Sequence, residues 1–287
     1  MTHHYSQYKS TLFRVANLDH WIVLVSGSLI EEFRKLPEDV ASFLEAADDF
    51  MQSTYTHKRC LLEIPFHVRV VQHQLTKHLP ELCDAVSDEI ADAFRTELPA
   101  CWTDVAVLPT LQAIIARVGT RVLVGPELAR DPEYIKTAIG FTLDVVVRAR
   151  IIKSFPNILN PFVGKLVSLI PSVMDKGLKM LEPVIEKQKL NRKILGEDKD
   201  QCNFLNWLLD EAPADDNSPR TISILLMNLN LAAIYSTAMV CTHILYNLVT
   251  WPEYIDPIRA EISECIQKHG WTKLAVRTVP VRTFFHG

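Results

Sequence analysis

Apolar residues recur at helical spacing over most of this chain. Leu82, Val86, Ile90, Ala93, Phe94 and Leu98 lie three or four apart and predict an amphipathic helix. Leu108, Leu111, Ile114, Ile115, Val118 and Val122 predict another, ending near Gly125-Pro126. A third starts at Asp131-Pro132 and runs to about Ile152, and a fourth runs from Pro171 to about Leu195. Shorter helices are expected over Val68–Leu79, which carries His73 and His78, and over Phe204–Glu211 and Glu253–His269. Near the start, Leu29–Leu36 and Glu38–Met51 read as two short helices, with Pro37 opening the second. The apolar run Trp21–Val25 reads as a buried strand. Residues 53–65, the prolines Pro156 and Pro161, the charged stretch Gly196–Gln201 and Ala212–Ser218 read as loops. The expectation is one mainly α domain with a small N-terminal β element.

The longest pattern is not amphipathic at all. Thr221 to Pro252 contains no Asp, Glu, Lys or Arg. Ser218-Pro219 before it is a start signal, a capping hydroxyl followed by proline at the first helical position, and Pro252 is a stop. An uncharged helix of this length, about 45 Å at 1.5 Å per residue, is buried in a large core or in a bilayer. Asn228, Asn230, Ser236, Thr237, His243 and Asn247 argue against a lipid-exposed span, since unpaired polar groups are costly there. Mid-helix, Ala232-Ala233 and Tyr235-Ser236-Thr237 place small residues beside hydroxyls, where something packs against the helix. The bland reading is that these hydroxyls bond back to carbonyls one turn earlier.

Composition narrows the chemistry. A chain 48% hydrophobic and 22% charged is globular, and a net charge of -4 gives no basis for nucleic-acid binding. Cys60, Cys83, Cys101, Cys202, Cys241 and Cys265 form no CxxC or zinc spacing; Cys83 and Cys241 read as core thiols in a reducing compartment. His67, His73 and His78 lie six and five apart, whereas two ligands on one helix face need three or four. There is no HExxH, GxSxG, GxGxxG or P-loop motif. The basic run Lys187, Lys189, Arg192, Lys193 complements a helix C-terminus.

The order of segments carries a resemblance. Trp21–Gly27, Pro37-Glu38-Asp39-Val40 and Gln74-Leu75-Thr76 are followed by Arg121–Gly125, Arg130–Tyr134 and Ala232–Thr237. Trp251-Pro252-Glu253-Tyr254 and Gly270–Lys273 close the series. In that order they resemble the fungal cytochrome P450 monooxygenases, in particular basidiomycete families similar to ent-kaurene oxidases, from about Tyr5 to Lys273. The resemblance implies haem (heme) as cofactor, electrons from NADPH through NADPH-cytochrome P450 reductase, and O2-dependent hydroxylation of a small apolar substrate. Terpenoid secondary metabolism and the cytosolic face of the endoplasmic reticulum membrane go with it. It also implies that the long helix crosses the distal face of the haem. Ala232 and Ala233 would then leave room there, and Tyr235, Ser236 and Thr237 would occupy the acid-alcohol positions. Tyr235 is a departure, because an unperturbed phenol stays protonated at pH 7. In the propionate region the family's Trp and Arg align with Val68 and Gln72. Gln72 and His73 are the candidates there, with Arg69 or Lys77 as substitutes.

The resemblance further requires an ExxR and a loop FxxGxRxCxG, whose cysteine thiolate binds the iron, after the long helix. Nothing after Trp251 matches either; Glu31–Arg34 and Glu127–Arg130 fit ExxR on the wrong side. No axial cysteine is therefore assigned, and this chain as written is expected not to hold haem through a thiolate. The expected organisation is an incomplete P450-like helical domain over residues 1–273, without its N-terminal anchor and inactive as written. An unrelated tail over 274–287 follows, from a frame change, retained intron or premature stop. A non-catalytic remnant or interaction protein, and a single-span helical membrane protein, are the alternatives.

Overall fold

The computed structural model describes residues 12–16, 21–56, 66–195, 203–270, 272 and 274–275. The chain divides into two compact units, residues 1–59 with 145–171, and residues 60–144 with 172–287. The mainly α expectation holds. The tail Val276–Gly287 and the loop Gly196–Gln201 lie outside the described residues.

In the first unit, β1 (Phe13–Ala16) pairs antiparallel with β2 (Trp21–Leu24), Phe13 opposite Leu24 and Ala16 opposite Trp21. The expected strand is there, but its expected burial is not: every residue of β2 is exposed, Trp21 at 66%. Two strands alone give an apolar run nothing to pack beneath. Helix α1 (Phe43–Met51) begins five residues later than Pro37 suggests, because Ser42 is the cap, its Oγ accepting from the Glu45 amide at 3.2 Å. A short helix, Ser53–Thr56, occupies part of the expected loop.

A further correction is α5 (Asn160–Ser168), where a Pro-punctuated loop was expected; Pro161 stands in its first turn, where a missing N–H costs nothing. Val163 and Val167 pack with Ile152 and Tyr55. A Cβ at Gly164 would stand 2.5 Å from Tyr55 Cγ, so only glycine lets the ring lie on the helix. Arg148, 6% exposed, donates from Nη1 to the Val167 and Ile170 carbonyls at 2.9 and 3.2 Å. Its Nη2 donates to the Pro171 carbonyl at 2.8 Å, so one cation satisfies the open C-terminal end of α5.

The second unit is a helical stack. Helix α2 (Thr76–Glu97) packs on α3 (Val107–Leu123), and α3 packs on α8 (Pro219–Thr250), which is also covered by α6 (Val173–Leu195). Helix α4 (Pro132–Lys153) contributes its first part to this unit, and α7 (Phe204–Glu211) and α9 (Ile255–His269) complete it. The two helices expected over 68–79 and 82–98 are one continuous path. Phe66–Arg69 runs through a π-turn, Val70–Leu75, into α2, with Pro80 inside the helix. A π-turn widens the helix by one residue per turn and marks an irregularity in an otherwise regular ladder.

Candidate functional site

Helix α8 starts where Ser218-Pro219 predicts: Ser218 Oγ accepts from the Thr221 amide at 3.0 Å, with Pro219 in the first turn. From Ile222 to Asn228 every residue is buried, and Asn230 and Leu231 are buried too. Gly177 of α6 permits close approach here, since a Cβ on it would stand 2.6 Å from Met227 Cε. The polar side chains of this half form hydrogen bonds, although Asn228 Oδ1 and Asn230 Oδ1 are buried with no partner among the described residues. Ser223 Oγ donates to the Pro219 carbonyl at 2.8 Å and Asn228 Nδ2 to the Ile224 carbonyl at 2.8 Å. Asn230 Nδ2 donates instead across the stack to the Tyr134 hydroxyl of α4 at 3.2 Å. Burial pushes the Tyr134 phenol well above its usual range, and the Asn230 bond offsets part of that.

At Ala232 the helix changes character. Ala232, Ala233, Tyr235, Ser236, Thr237, Val240 and residues 243–247 are exposed, and only Ile234, Ala238 and Thr242 keep a buried line. All five candidate distal residues therefore lie together on the open part of α8. Ser236 Oγ donates to the Ala232 carbonyl at 2.7 Å, the back-bond of a helical serine, which leaves its lone pairs free to accept. Tyr235 is 42% exposed.

The candidate propionate residues lie elsewhere. Gln72 and His73 are exposed on the π-turn, which packs on α7 and on the start of α2. Neither element is a principal partner of α8. His78 stacks on Trp207 of α7 with ring centroids 4.9 Å apart, and its Nδ1 is hydrogen-bonded with the Gln74 carbonyl at 2.9 Å. Arg69 and Lys77 are exposed.

An ion cluster not anticipated from the sequence lies in the second unit. Glu89 of α2 is fully buried; its Oε1 accepts from Arg117 Nε and Nη2 at 3.1 and 2.7 Å, and its Oε2 from Arg130 Nε at 3.1 Å. Arg117 Nη2 also reaches Asp92 Oδ2 at 2.5 Å, and that bond holds the Asp92 carboxyl below the usual carboxylate range. The signal was present: Glu89 sits on the apolar stripe Leu82–Val86–Ala93. The two chance ExxR matches are spent otherwise, Arg34 on its neighbour Glu31 at 2.9 Å and Arg130 on Glu89.

Residues 118–279, more than half of the chain, match the family model described as Cytochrome P450. This chain belongs to the cytochrome P450 family. It is 35% identical over 280 residues to cytochrome P450 monooxygenase 103 of Postia placenta, covering 94% of this chain and 56% of that protein. It is 29% identical over 277 residues to cytochrome P450 monooxygenase AN1598 of Emericella nidulans, with 94% and 52% covered. To the ent-kaurene oxidase of Fusarium fujikuroi it is 28% identical over 279 residues, with 95% and 52% covered. This P450 chain spans about half the length of the curated relatives it matches.

Haem is the cofactor of the P450 family, and the residues here fit one side of it only. The open stretch of α8 is a wall of small and hydroxylic residues. The thiol donors do not make the other side: Cys83 Sγ donates to the Leu79 carbonyl at 3.2 Å on its own helix, and buried Cys265 Sγ to the Ala275 carbonyl at 3.4 Å. Cys241, half-buried on α8, and Cys101, exposed, sit in no loop of the ligand form, and Cys60 and Cys202 lie outside the described residues. Among the described residues no thiol stands in a loop of the ligand form, and no reaction step is derived through the iron.

Proposed function

We propose that this chain supplies the oxygen-side half of a cytochrome P450 monooxygenase site. The enzyme of which it would form a part hydroxylates a small apolar compound, with electrons from NADPH through a reductase. The observation that carries the proposal is the change in α8 at Ala232, from a helix covered on all sides to one with an open face. That face holds Ala232, Ala233, Tyr235, Ser236 and Thr237. The alanines leave space, and the Ser236 hydroxyl, anchored to its own backbone, offers lone pairs to a water. Gln72 and His73 are proposed as polar contacts for the cofactor's edge, supported by the π-turn that carries them. Terpenoid secondary metabolism is proposed from the similarity to proteins named ent-kaurene oxidase.

The test is a chimera that joins this chain to the ExxR and cysteine-loop portion of the Postia relative. The reduced, carbon-monoxide-bound spectrum is then recorded. A thiolate-type Soret band is expected, and Ala233→Trp should remove carbon monoxide binding while Val240→Trp does not. A band indifferent to Ala233→Trp would refute the placement of the distal wall.

Membrane association is also proposed, supported by the first unit. Its residues Phe155, Ile158, Phe162, Leu166 and Leu169 are exposed, Ile158 at 88% and Leu169 at 79%, with Phe162 and Leu166 on a different face of α5 from the buried Val163, Gly164 and Val167. So large an apolar patch marks an interaction surface. Helix α8 is long and apolar enough to cross a bilayer, but half of its most apolar window is buried, which supports its role as a core helix. Flotation with phosphatidylcholine vesicles should be lost in Phe162→Asp/Leu169→Asp and kept in Val240→Asp. The reverse pattern would favour α8 as the membrane element.

A further inference from the structure

A cavity of about 700 Å³ lies among α2, α3 and the start of α4, and no residue of α8 lines it. Its size is that of a small-molecule site. Ala113, Ile135, Ile139 and Leu143 give it an apolar wall, while Arg117, Arg130 and Lys136 bring three cations to a lining with two acids, Asp92 and Glu97. The cations are only partly engaged. Arg117 is 6% exposed and commits Nε and Nη2 to Glu89 and Asp92, yet its Nη1 has no hydrogen-bond partner among the described residues. Arg130 commits Nε alone, and Lys136 is exposed with no acid partner among the described residues.

A buried guanidinium beside an apolar cavity is costly unless its remaining N–H groups find an acceptor. An anionic headgroup at the end of a single aliphatic chain satisfies both parts of the lining. A planar carboxylate suits guanidinium N–H groups in particular.

We propose that this cavity binds a long-chain carboxylate, its alkyl chain on Ala113, Ile135, Ile139 and Leu143 and its headgroup on Arg117, Arg130 and Lys136. The site is independent of the open face of α8 and binds without chemistry. Its ligand would tie α2, α3 and α4 together at the ion cluster.

The experiment is titration calorimetry of the 287-residue protein with octanoate, decanoate, dodecanoate and dodecanol, with Ala113→Phe and Lys136→Glu as variants. Melting followed by circular dichroism checks that each variant folds. One dodecanoate should bind per chain. Affinity should rise about fourfold per added methylene, the equivalent of about 0.8 kcal/mol each. Dodecanol should bind at least tenfold more weakly than dodecanoate. Ala113→Phe, which puts a ring into the path of the alkyl chain, should weaken both ligands at least tenfold. Lys136→Glu should weaken dodecanoate at least threefold and leave dodecanol unchanged. Equal binding by wild type and a folded Ala113→Phe would overturn the proposal, since the chain would then bind on another apolar face. So would equal binding of acid and alcohol. If Ala113→Phe does not fold, Lys136→Glu decides: dodecanoate binding indifferent to it rejects the site.

Discussion

Replacing Glu89 with alanine removes the centre of the buried ion cluster. Glu89 is fully buried and accepts three hydrogen bonds, two from Arg117 and one from Arg130. Arg130 is half exposed and turns to water at little cost, but Arg117 stays buried with Asp92 as its remaining acid. Removing one partner of a buried pair costs about 3–5 kcal/mol, because the other charge is left uncompensated. The retained Asp92 bond places Glu89→Ala at the low end, about 3 kcal/mol. In urea, with a slope of roughly 3 kcal/mol per M for a chain of this size, the midpoint followed by far-UV circular dichroism should fall by about 1 M. Glu89→Leu/Arg117→Met, which removes both charges and keeps apolar volume, should lie closer to wild type than Glu89→Ala does. A midpoint shift below about 0.3 M for Glu89→Ala, with an unchanged slope, would refute the reasoning. The cluster would then be solvated, not buried.

Three other outcomes follow from the same geometry. Asp92 is held below its usual range first by the Arg117 hydrogen bond, so its stabilisation is complete above the unfolded value of about 3.9 and is lost as pH falls from there through the folded value. Urea midpoints from pH 6 to 2.5 should therefore fall less steeply in Asp92→Asn than in wild type. Gly177→Val drives a side chain into buried Met227 and should cost about 1–3 kcal/mol; Met227→Ala in the same chain should recover part of that, and strict additivity of the two would contradict the contact. Leu231→Asp, in the covered half of α8 at 5% exposure, should unfold the protein or cost more than about 3 kcal/mol. Val240→Asp, at 59% exposure in the open half, should cost within about 0.5 kcal/mol in the same denaturation assay.

The helices legible in the sequence are those with chemical punctuation. Helix α7 spans the expected Phe204–Glu211 because Asn203 caps it, its Oδ1 accepting from the Asn206 amide at 2.9 Å. Helix α8 begins at Pro219 for the same kind of reason. Proline misleads where position decides its meaning: Pro161 reads as part of a loop but stands in the first turn of a helix. The strand Trp21–Leu24 has the right local pattern, but burial needs a covering layer that local pattern does not encode. The candidate distal residues come from the family resemblance and the order of segments. The boundary at Ala232 was not legible, because from Thr221 onward α8 is uncharged on both sides of it. Which half is covered is decided by α3 and α6, elements distant in sequence. Glu89 was readable as a charge on an apolar stripe, but its pairing with Arg117 across 28 positions was not.

On the proposed reading the open half of α8 is the oxygen-side wall of a P450 site, and among the described residues no thiol stands in a loop that could hold its iron. The measurement that tests it most directly is the reduced, carbon-monoxide-bound absorption spectrum of the 287-residue protein after addition of haem. The account predicts no thiolate-type Soret band. A normal thiolate-type band from this polypeptide would contradict it, and would require one of the six cysteines to reach the iron.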